Sequence, residues 1–284
     1  MLTGPVDLHA HSSVSDGTER PAELVAAAVE AGLGVVALTD NDATAGWDEA
    51  ARAVRGTGTT FVPGMELSTR VGPLSVHVLG YLFDPDDAAL VAETARTRDA
   101  RLHRAERIVE RIAADYDLTW DDVLAQSSVG STLGRPHIAD ALVAKGHAPD
   151  RSAAFAGILH WRAGYYEPHE APTPVEGVRL IRAAGGVPVL AHPATHGAAP
   201  NVGERHFAEL VDAGLLGVEV RHRENTRDGR ARLLELAHRH DLVVTGSSDY
   251  HGSGKPNRLG ENTTAVDQYE RIVAAGRGSS PVEG

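Results

Sequence analysis

Hydrophobic and polar positions first alternate at the amino end of the chain. Val6, Leu8 and Ala10 take turns with Asp7, His9 and His11, the two-residue period of a strand, so His9 and His11 leave the backbone on one face. Thr18-Glu19-Arg20-Pro21 opens a helix whose apolar stripe is Leu24, Val25, Ala28 and Val29, and Gly32 stops it. Residues 33–38 form the unbroken apolar run of a buried parallel strand, ending in the polar cluster Thr39-Asp40-Asn41-Asp42. A helix over about 45–54 then leads to a strand at 60–62 that runs into Pro63-Gly64-Met65-Glu66. Residues 74–81 alternate again as a strand with His77 inside it.

The pattern changes character between about 84 and 172. Residues 88–115 read as one long, Arg-rich helix, followed by shorter helices over 119–126 and 136–145. Basic and acidic residues alternate along the long helix, which predicts a solvated face for most of them. This stretch reads as a helical insertion within one larger domain spanning 1–284.

Strand–helix alternation then resumes. Thr173-Pro174-Val175-Glu176 is a capping box opening a helix that ends at Gly185-Gly186. Strands follow at 187–191, 217–220 and 242–245, with helices near 204–213 and 226–240 between them, and the tail after Ala275 reads as frayed. Seven strands, mostly separated by helices, predict an α/β fold, either a parallel barrel or a doubly wound sheet.

Composition narrows the chemistry. The 284 residues include no cysteine, which excludes disulfides, thiolate zinc sites and a cysteine nucleophile, so any metal must be held by His, Asp, Glu and water. A formal charge of −12 argues against a nucleic-acid duplex as partner, while leaving room for a small phosphate ester in a local basic pocket. Neither a secretory segment nor a run of ~20 apolar residues is visible, so the expectation is a soluble cytoplasmic protein without a membrane partner. Oligomeric state does not follow from the sequence.

The candidate ligands share a position. His9 and His11, Asp40, Glu66, His192, and Asp249 with His251 all lie at or just beyond the carboxyl ends of predicted strands, and His77 lies within another. In a barrel of alternating strands and helices those ends form one mouth. Any one residue has an ordinary explanation, Asp40 as a helix cap or His192 as a core histidine. The set is better explained as a nitrogen-and-oxygen metal site, over which Asp16 can fold back.

The stretches Asp7-Leu8-His9-Ala10-His11-Ser12 with Asp16-Gly17, Leu38-Thr39-Asp40-Asn41-Asp42 and Pro63-Gly64-Met65-Glu66 are found in one family, in this order. So are Ser75-Val76-His77, Gly134-Arg135-Pro136-His137, Leu190-Ala191-His192-Pro193 and Gly246-Ser247-Ser248-Asp249-Tyr250-His251. The chain thus resembles the polymerase-and-histidinol-phosphatase (PHP) family of metal-dependent phosphoesterases, in the amidohydrolase superfamily. The resemblance implies a distorted seven-stranded (β/α)7 barrel and two to three divalent ions, with manganese favoured and zinc, iron or magnesium as alternatives. It implies that His9, His11, Glu66 and Asp249 hold a first ion, bridging Glu66 with His77 and His192 a second, and Asp16 with His251 a third. The family usually has His where this chain has Asn41, a neutral ligand that suits harder cations than zinc.

Hydrolysis by a metal-bridging hydroxide is then expected, with Asp249 or His251 handling the proton. Arg135 and His137, at a helix start, are the expected phosphate contacts, and Lys255, Arg258 and His222 are further candidates. Glu219 and Arg221 can also enter the mouth. His196, His206, His238 and His240 read as surface residues, and Tyr165 and Tyr166 as packing for the insertion. The expected substrate is a small phosphate ester: a nucleotide, a 3′,5′-nucleoside bisphosphate or a cyclic phosphodiester. The alternatives are a short-RNA exonuclease, an amidohydrolase-type C–N or C–O hydrolase, and a metal-binding module without turnover.

Overall fold

A computed structural model describes residues 4–72, 74–195 and 203–284. Strands β1 (Val6–Asp7), β2 (Val35–Leu38), β3 (Thr60–Val71), β4 (Leu74–Tyr81), β5 (Val187–Leu190), β6 (Gly217–Arg221) and β7 (Val243–Gly246) lie in one sheet in chain order. The sheet rolls into a nearly closed, distorted barrel. β1 to β3 are mutually parallel, as are β5 to β7, but β4 is antiparallel to both β3 and β5. This corrects the expectation of a parallel sheet. Only residues 72 and 73 separate β3 from β4, and a connection that short can make only a hairpin. Because β4 runs backwards, it is the first half of the strand that lies at the mouth, and this is where His77 stands.

Alternation along the strands divides the apolar residues between two cores. Leu8, Val35, Ala37, Val62, Leu79, Tyr81, Val187, Val189 and Val243 fill one, where the Tyr81 hydroxyl donates to the Leu8 carbonyl at 2.9 Å. Val36, Leu38, Phe61, Met65, Leu67, Val78, Leu190 and Val218 face the other way, under the helices. Helices α1 (Pro21–Glu30) and α2 (Trp47–Ala53) cover the first strands.

Between β4 and β5 come α3 (Ala88–Ile112), α4 (Trp120–Leu124), α5 (Arg135–Ala144) and α6 (Arg151–Ala156), which share a core of Ile108, Ile112, Leu118, Val123, Ile138, Leu142 and Leu159. Tyr165 joins that core and its hydroxyl donates to Asp115 at 2.6 Å. After it come α7 (Pro174–Ala183), α8 (Glu204–Asp212), α9 (Arg227–Arg239) and α10 (Val266–Ala275), and α7 carries the capping box read from Thr173 and Glu176.

The tail after Ala275 is not frayed. Val282 exchanges backbone hydrogen bonds with Phe61 at 2.8 and 2.9 Å, and the Gly278 amide donates to the Leu82 carbonyl at 3.0 Å. A side chain at Gly278 would collide with the backbone of Phe83 and Asp84, so the small residues of this segment serve a close approach rather than disorder. Among the described residues, no helix is long and apolar enough to cross a membrane.

Candidate metal centre

The regular part of β1 ends at Asp7, but the chain continues extended, and Ala10 bridges to Tyr250 beside β7. His9 and His11 therefore keep their common face, with their Nε2 atoms 3.0 Å apart. The opposite nitrogens are fixed from behind. Nδ1 of His9 meets Glu219 Oε1 at 3.1 Å, and Nδ1 of His11 meets Ser15 Oγ at 3.3 Å. Both Nε2 lone pairs are thereby aimed into the mouth.

Glu66, in the middle of β3, faces four imidazoles. Its Oε1 lies 2.7 Å from His77 Nδ1, 3.1 Å from His192 Nε2 and 3.6 Å from His9 Nε2, while Oε2 lies 3.4 Å from His11 Nε2. Burial alone would raise its pKa. The imidazoles, His77 and His9 foremost, outweigh that and hold it well below the usual carboxylate range.

Asp249 splits its oxygens in the same way. Oδ1 stands 3.4 Å from Nε2 of both His9 and His11, and Oδ2 takes Lys255 Nζ at 2.7 Å with His222 Nε2 at 3.5 Å. Against its burial, Lys255 and His251 keep Asp249 strongly ionised. Asp249 (φ 54°) and His192 (φ 28°) both occupy the left-handed region, an uncommon conformation for residues with side chains and typical of functional sites. The His192 amide is gripped by Glu219 Oε2 at 2.9 Å.

Asp16 Oδ1 faces His251 Nε2 at 3.3 Å and His11 Nδ1 at 3.6 Å. Burial raises Asp16, but the His251 and His11 imidazoles hold it well below the usual range, and burial lowers His251 into its neutral form. Among the described residues, three sets of donor atoms converge closely enough to hold an ion: His9, Glu66 and His192; His9, His11 and Asp249; and His11, Asp16 and His251. Facing imidazole lone pairs beside buried, ionised carboxylates form a charge arrangement that divalent cations would neutralise, so the residues fit such ions. His77 adjoins these sets through Glu66, with its Nε2 against Ser75 Oγ at 3.1 Å.

Asp40 departs from its expected role as a ligand. It accepts from the Ser12 amide (2.8 Å), the Ser12 hydroxyl (2.7 Å) and the Ser15 hydroxyl (2.6 Å), and burial pushes it up to about 6. Its task is to hold the turn that carries His11. Asn41 does lie beside the third set, but its amide nitrogen points there, 3.1 Å from Asp16 Oδ1 and 3.4 Å from His11 Nδ1, while its oxygen lies 3.5 Å from the Arg101 guanidinium.

The second wall of the site is cationic. A cavity of about 290 Å³ is lined by Glu66, His77, His192, Asp249 and His251 and also by Arg101, Arg104, Arg135, His169 and Lys255, with Glu224 as a further acid. Arg135 stands where expected, its guanidinium 5.3 Å from the ring centres of both Phe155 and Tyr166. His137 faces elsewhere: its Nδ1 accepts from the Gly134 amide at 3.2 Å, and it lines a different cavity. Arg258 is exposed, with its amide on Glu261 at 3.2 Å, and lies outside the 290 Å³ lining. His222 is buried behind Asp249, its Nε2 without a hydrogen-bond partner. Arg221 and His206 are exposed, as is His238; the His240 ring lies tilted 6.0 Å from that of Phe207, and His196 lies outside the described residues.

Most charged residues of α3 are exposed or half-buried, and Arg101 and Arg104 are the exceptions, only 7% and 6% exposed. Arg101 donates to Ser68 Oγ at 2.7 Å and pairs with Asp42 at 3.3 Å. Arg104 donates from Nη1 to His169 Nδ1 at 3.0 Å, and its Nε, like His169 Nε2, has no hydrogen-bond partner among the described residues. Burial, with Arg101 nearby, lowers Arg104 to about 9; burial and Arg104 lower His169 to about 2. A signal was present in the sequence: positions 97, 101, 104, 108 and 112 form one helical stripe, apolar but for Thr97 and these arginines.

A barrel mouth with a buried His/Asp/Glu cluster facing a cationic wall is the site of a metal-dependent hydrolase acting on anions. The PHP domain model matches residues 7–143. A 3′,5′-nucleoside bisphosphate phosphatase of Chromobacterium violaceum is 32% identical over 254 residues, 89% of either chain. A 5′-3′ exoribonuclease of Haemophilus influenzae is 30% identical, over 94% of this chain and 97% of its own. A crystal structure from Bifidobacterium adolescentis, assigned as a metal-dependent phosphoesterase, superposes with a TM-score of 0.94 at 44% identity, covering 96% of this chain and 97% of that one. The chain belongs to the PHP domain family.

Proposed function

We propose that this protein is a metal-dependent phosphoesterase that removes a phosphate from a small ester carrying a second anionic group, a 3′,5′-nucleoside bisphosphate being the class that fits best. The observation that carries this reading is the cationic wall opposite the ligand cluster. Arg101, Arg104, Arg135 and Lys255 line one cavity with it, so although Asp42 pairs with Arg101 and Asp249 with Lys255, the wall offers guanidinium groups to more than one phosphate.

His9, His11, Glu66, His192 and Asp249, with His77 beside them, would hold a pair of divalent ions, and His11, Asp16 and His251 a third. The mixed set of imidazoles and carboxylates accepts manganese. Such ions supply a nucleophilic water at neutral pH and offset charge developing on phosphoryl oxygens. The protein's own share is to fix the reactants. Arg135 and Lys255 take the reacting phosphate, Arg104 and Arg101 the second anion, and Phe155 offers an apolar face between them. Asp249, beside Lys255, or His251 when no third ion occupies its Nε2, would accept the proton released on attack.

A short RNA with a 5′-phosphate presents a similar pair of groups, and the Haemophilus relative supports that second reading. The net charge of −12 weighs toward the smaller substrate. Phosphate release from nucleoside bisphosphates, monophosphates, cyclic diesters and short RNA, on manganese-loaded protein with a chelated control, separates the readings. Preference for the bisphosphate, abolished by chelation, is expected. Turnover of amides or lactones without any phosphoester would overturn the proposal.

A further inference from the structure

Besides its arginines in the cationic wall, the insertion meets the ligand cluster through a half-buried side chain of α6. Arg151, the first residue of α6, donates from Nε to Asp140 Oδ1 at 2.8 Å and from Nη2 to Asp140 Oδ2, and it spends Nη1 on the backbone carbonyl of Asp16 at 2.9 Å. Its side chain is about 10% exposed. The same guanidinium lies against Gly254, where an added Cβ would come within 2.4 Å of Nη1, and the Gly254 amide is bonded to the His251 carbonyl at 3.2 Å. Arg151 is therefore wedged between the loop that carries Asp16 and the loop that carries His251. A second tie, from the Thr132 amide to the Val14 carbonyl at 2.9 Å, fastens the insertion to the first of these loops.

We propose that Arg151, oriented by Asp140, is a positioning residue through which the insertion sets the separation of Asp16 and His251, and so the affinity of the third ion. The inference rests on the reading of His11, Asp16 and His251 as an ion site. That set depends on outside support because its neighbour Asn41 turns an N–H toward it, leaving three donors drawn from two loops. A planar guanidinium with two nitrogens fixed on one carboxylate has a third direction that is set rather than free, which a lysine could not reproduce. Coupling must be reciprocal: an ion that draws the two loops together also tightens the insertion on Arg151.

The test is equilibrium dialysis of full-length protein against Mn²⁺, with hydrogen exchange of residues 12–18 and 135–156 as a second readout. Wild type is expected to take up a third ion. Arg151→Met and Gly254→Ala, the latter displacing the guanidinium without removing a charge, are expected to weaken that ion about 10- to 100-fold, as loss of an outer support does. The first two ions should stay, and exchange in 12–18 should quicken. If Arg151→Met fails to fold, Gly254→Ala carries the comparison. Wild-type affinity for the third ion in the variants would overturn the inference alone, as would uniform loss of all ions with a lowered Tm. A wild type that binds only two ions at saturating Mn²⁺ would overturn the third-ion reading as well.

Discussion

Arg104 donates to His169 across 3.0 Å, a buried cation hydrogen-bonded to an imidazole that must stay neutral to accept it. Arg104 also lines the cavity, and its buried Nε has no hydrogen-bond partner among the described residues. Arg104→Gln should therefore discriminate between substrates. A hydrogen bond to a charged group contributes about 1.5–3 kcal/mol, so kcat/KM for a nucleoside bisphosphate should fall about 10- to 150-fold. Turnover of a nucleoside monophosphate should change little. Equal losses on the two substrates would place Arg104 at the reacting phosphate or in folding instead.

The same pair makes a statement about pH. His169 sits at about 2 in the folded chain against 6.5 unfolded, so below 6.5 the unfolded chain binds a proton that the native one refuses. Its contribution to stability is present above pH 6.5 and falls as the pH drops, by at most ~1.4 kcal/mol per unit. His169→Gln keeps an acceptor for Arg104 and cannot titrate. Urea unfolding of metal-free protein between pH 6.5 and 4.5 should show a shallower loss in this variant, and an unchanged slope would mean that His169 titrates normally.

Glu219 steadies His9 through Nδ1 and His192 through its backbone amide. Glu219→Gln should weaken ion retention about 10- to 100-fold, the usual effect of removing a carboxylate behind a ligating histidine. Metal content after dialysis measures it. Retention equal to wild type would reduce Glu219 to a core acid.

Asn41→His places a ring nitrogen where an amide N–H now faces Asp16 and His11. Manganese stoichiometry should rise at limiting metal. Protons compete with the ion for the ring nitrogen, so the gain should be larger at pH 8 than at pH 6, with the nearby Arg101 guanidinium narrowing the difference by disfavouring the protonated ring.

Tyr81→Phe leaves the Leu8 carbonyl without its hydroxyl donor inside the barrel core. A cost of about 1–3 kcal/mol in unfolding free energy is expected, with ion content unchanged.

Strand period and the residues ending each strand made most of this architecture legible. His9 and His11 converge because alternation puts them on one face, and Glu66, His192 and Asp249 follow from the shared mouth of a barrel. What escaped has physical reasons. Asp40 looked like a ligand because position alone does not reveal that Ser12 and Ser15 saturate its oxygens. Arg101 and Arg104 looked solvated because charge alternation was weighed above the stripe they share with Ile108 and Ile112. His137 was assigned to phosphate, though a histidine three residues after Gly134 is equally able to cap its own helix. His169 lies in a segment with no periodic pattern, where nothing short of the fold brings it to Arg104.

The first and last strands of the barrel share no ladder. They are joined across the gap by Ala10 and His11 against Tyr250, and by Val6 against Thr264. The candidate ligands His9 and His11 thus sit on the zipper of the barrel rather than on its cloth. Stripped of ions, the chain should part first along this line, giving hydrogen exchange at His11 and Tyr250 long before the β3–β4 hairpin lets go. Loaded, it should open only as a whole. A cell short of metal would then meet a protein whose fabric is intact and whose catalytic edge stands ajar, a form open to proteases at the one place where repair is as simple as an ion's return.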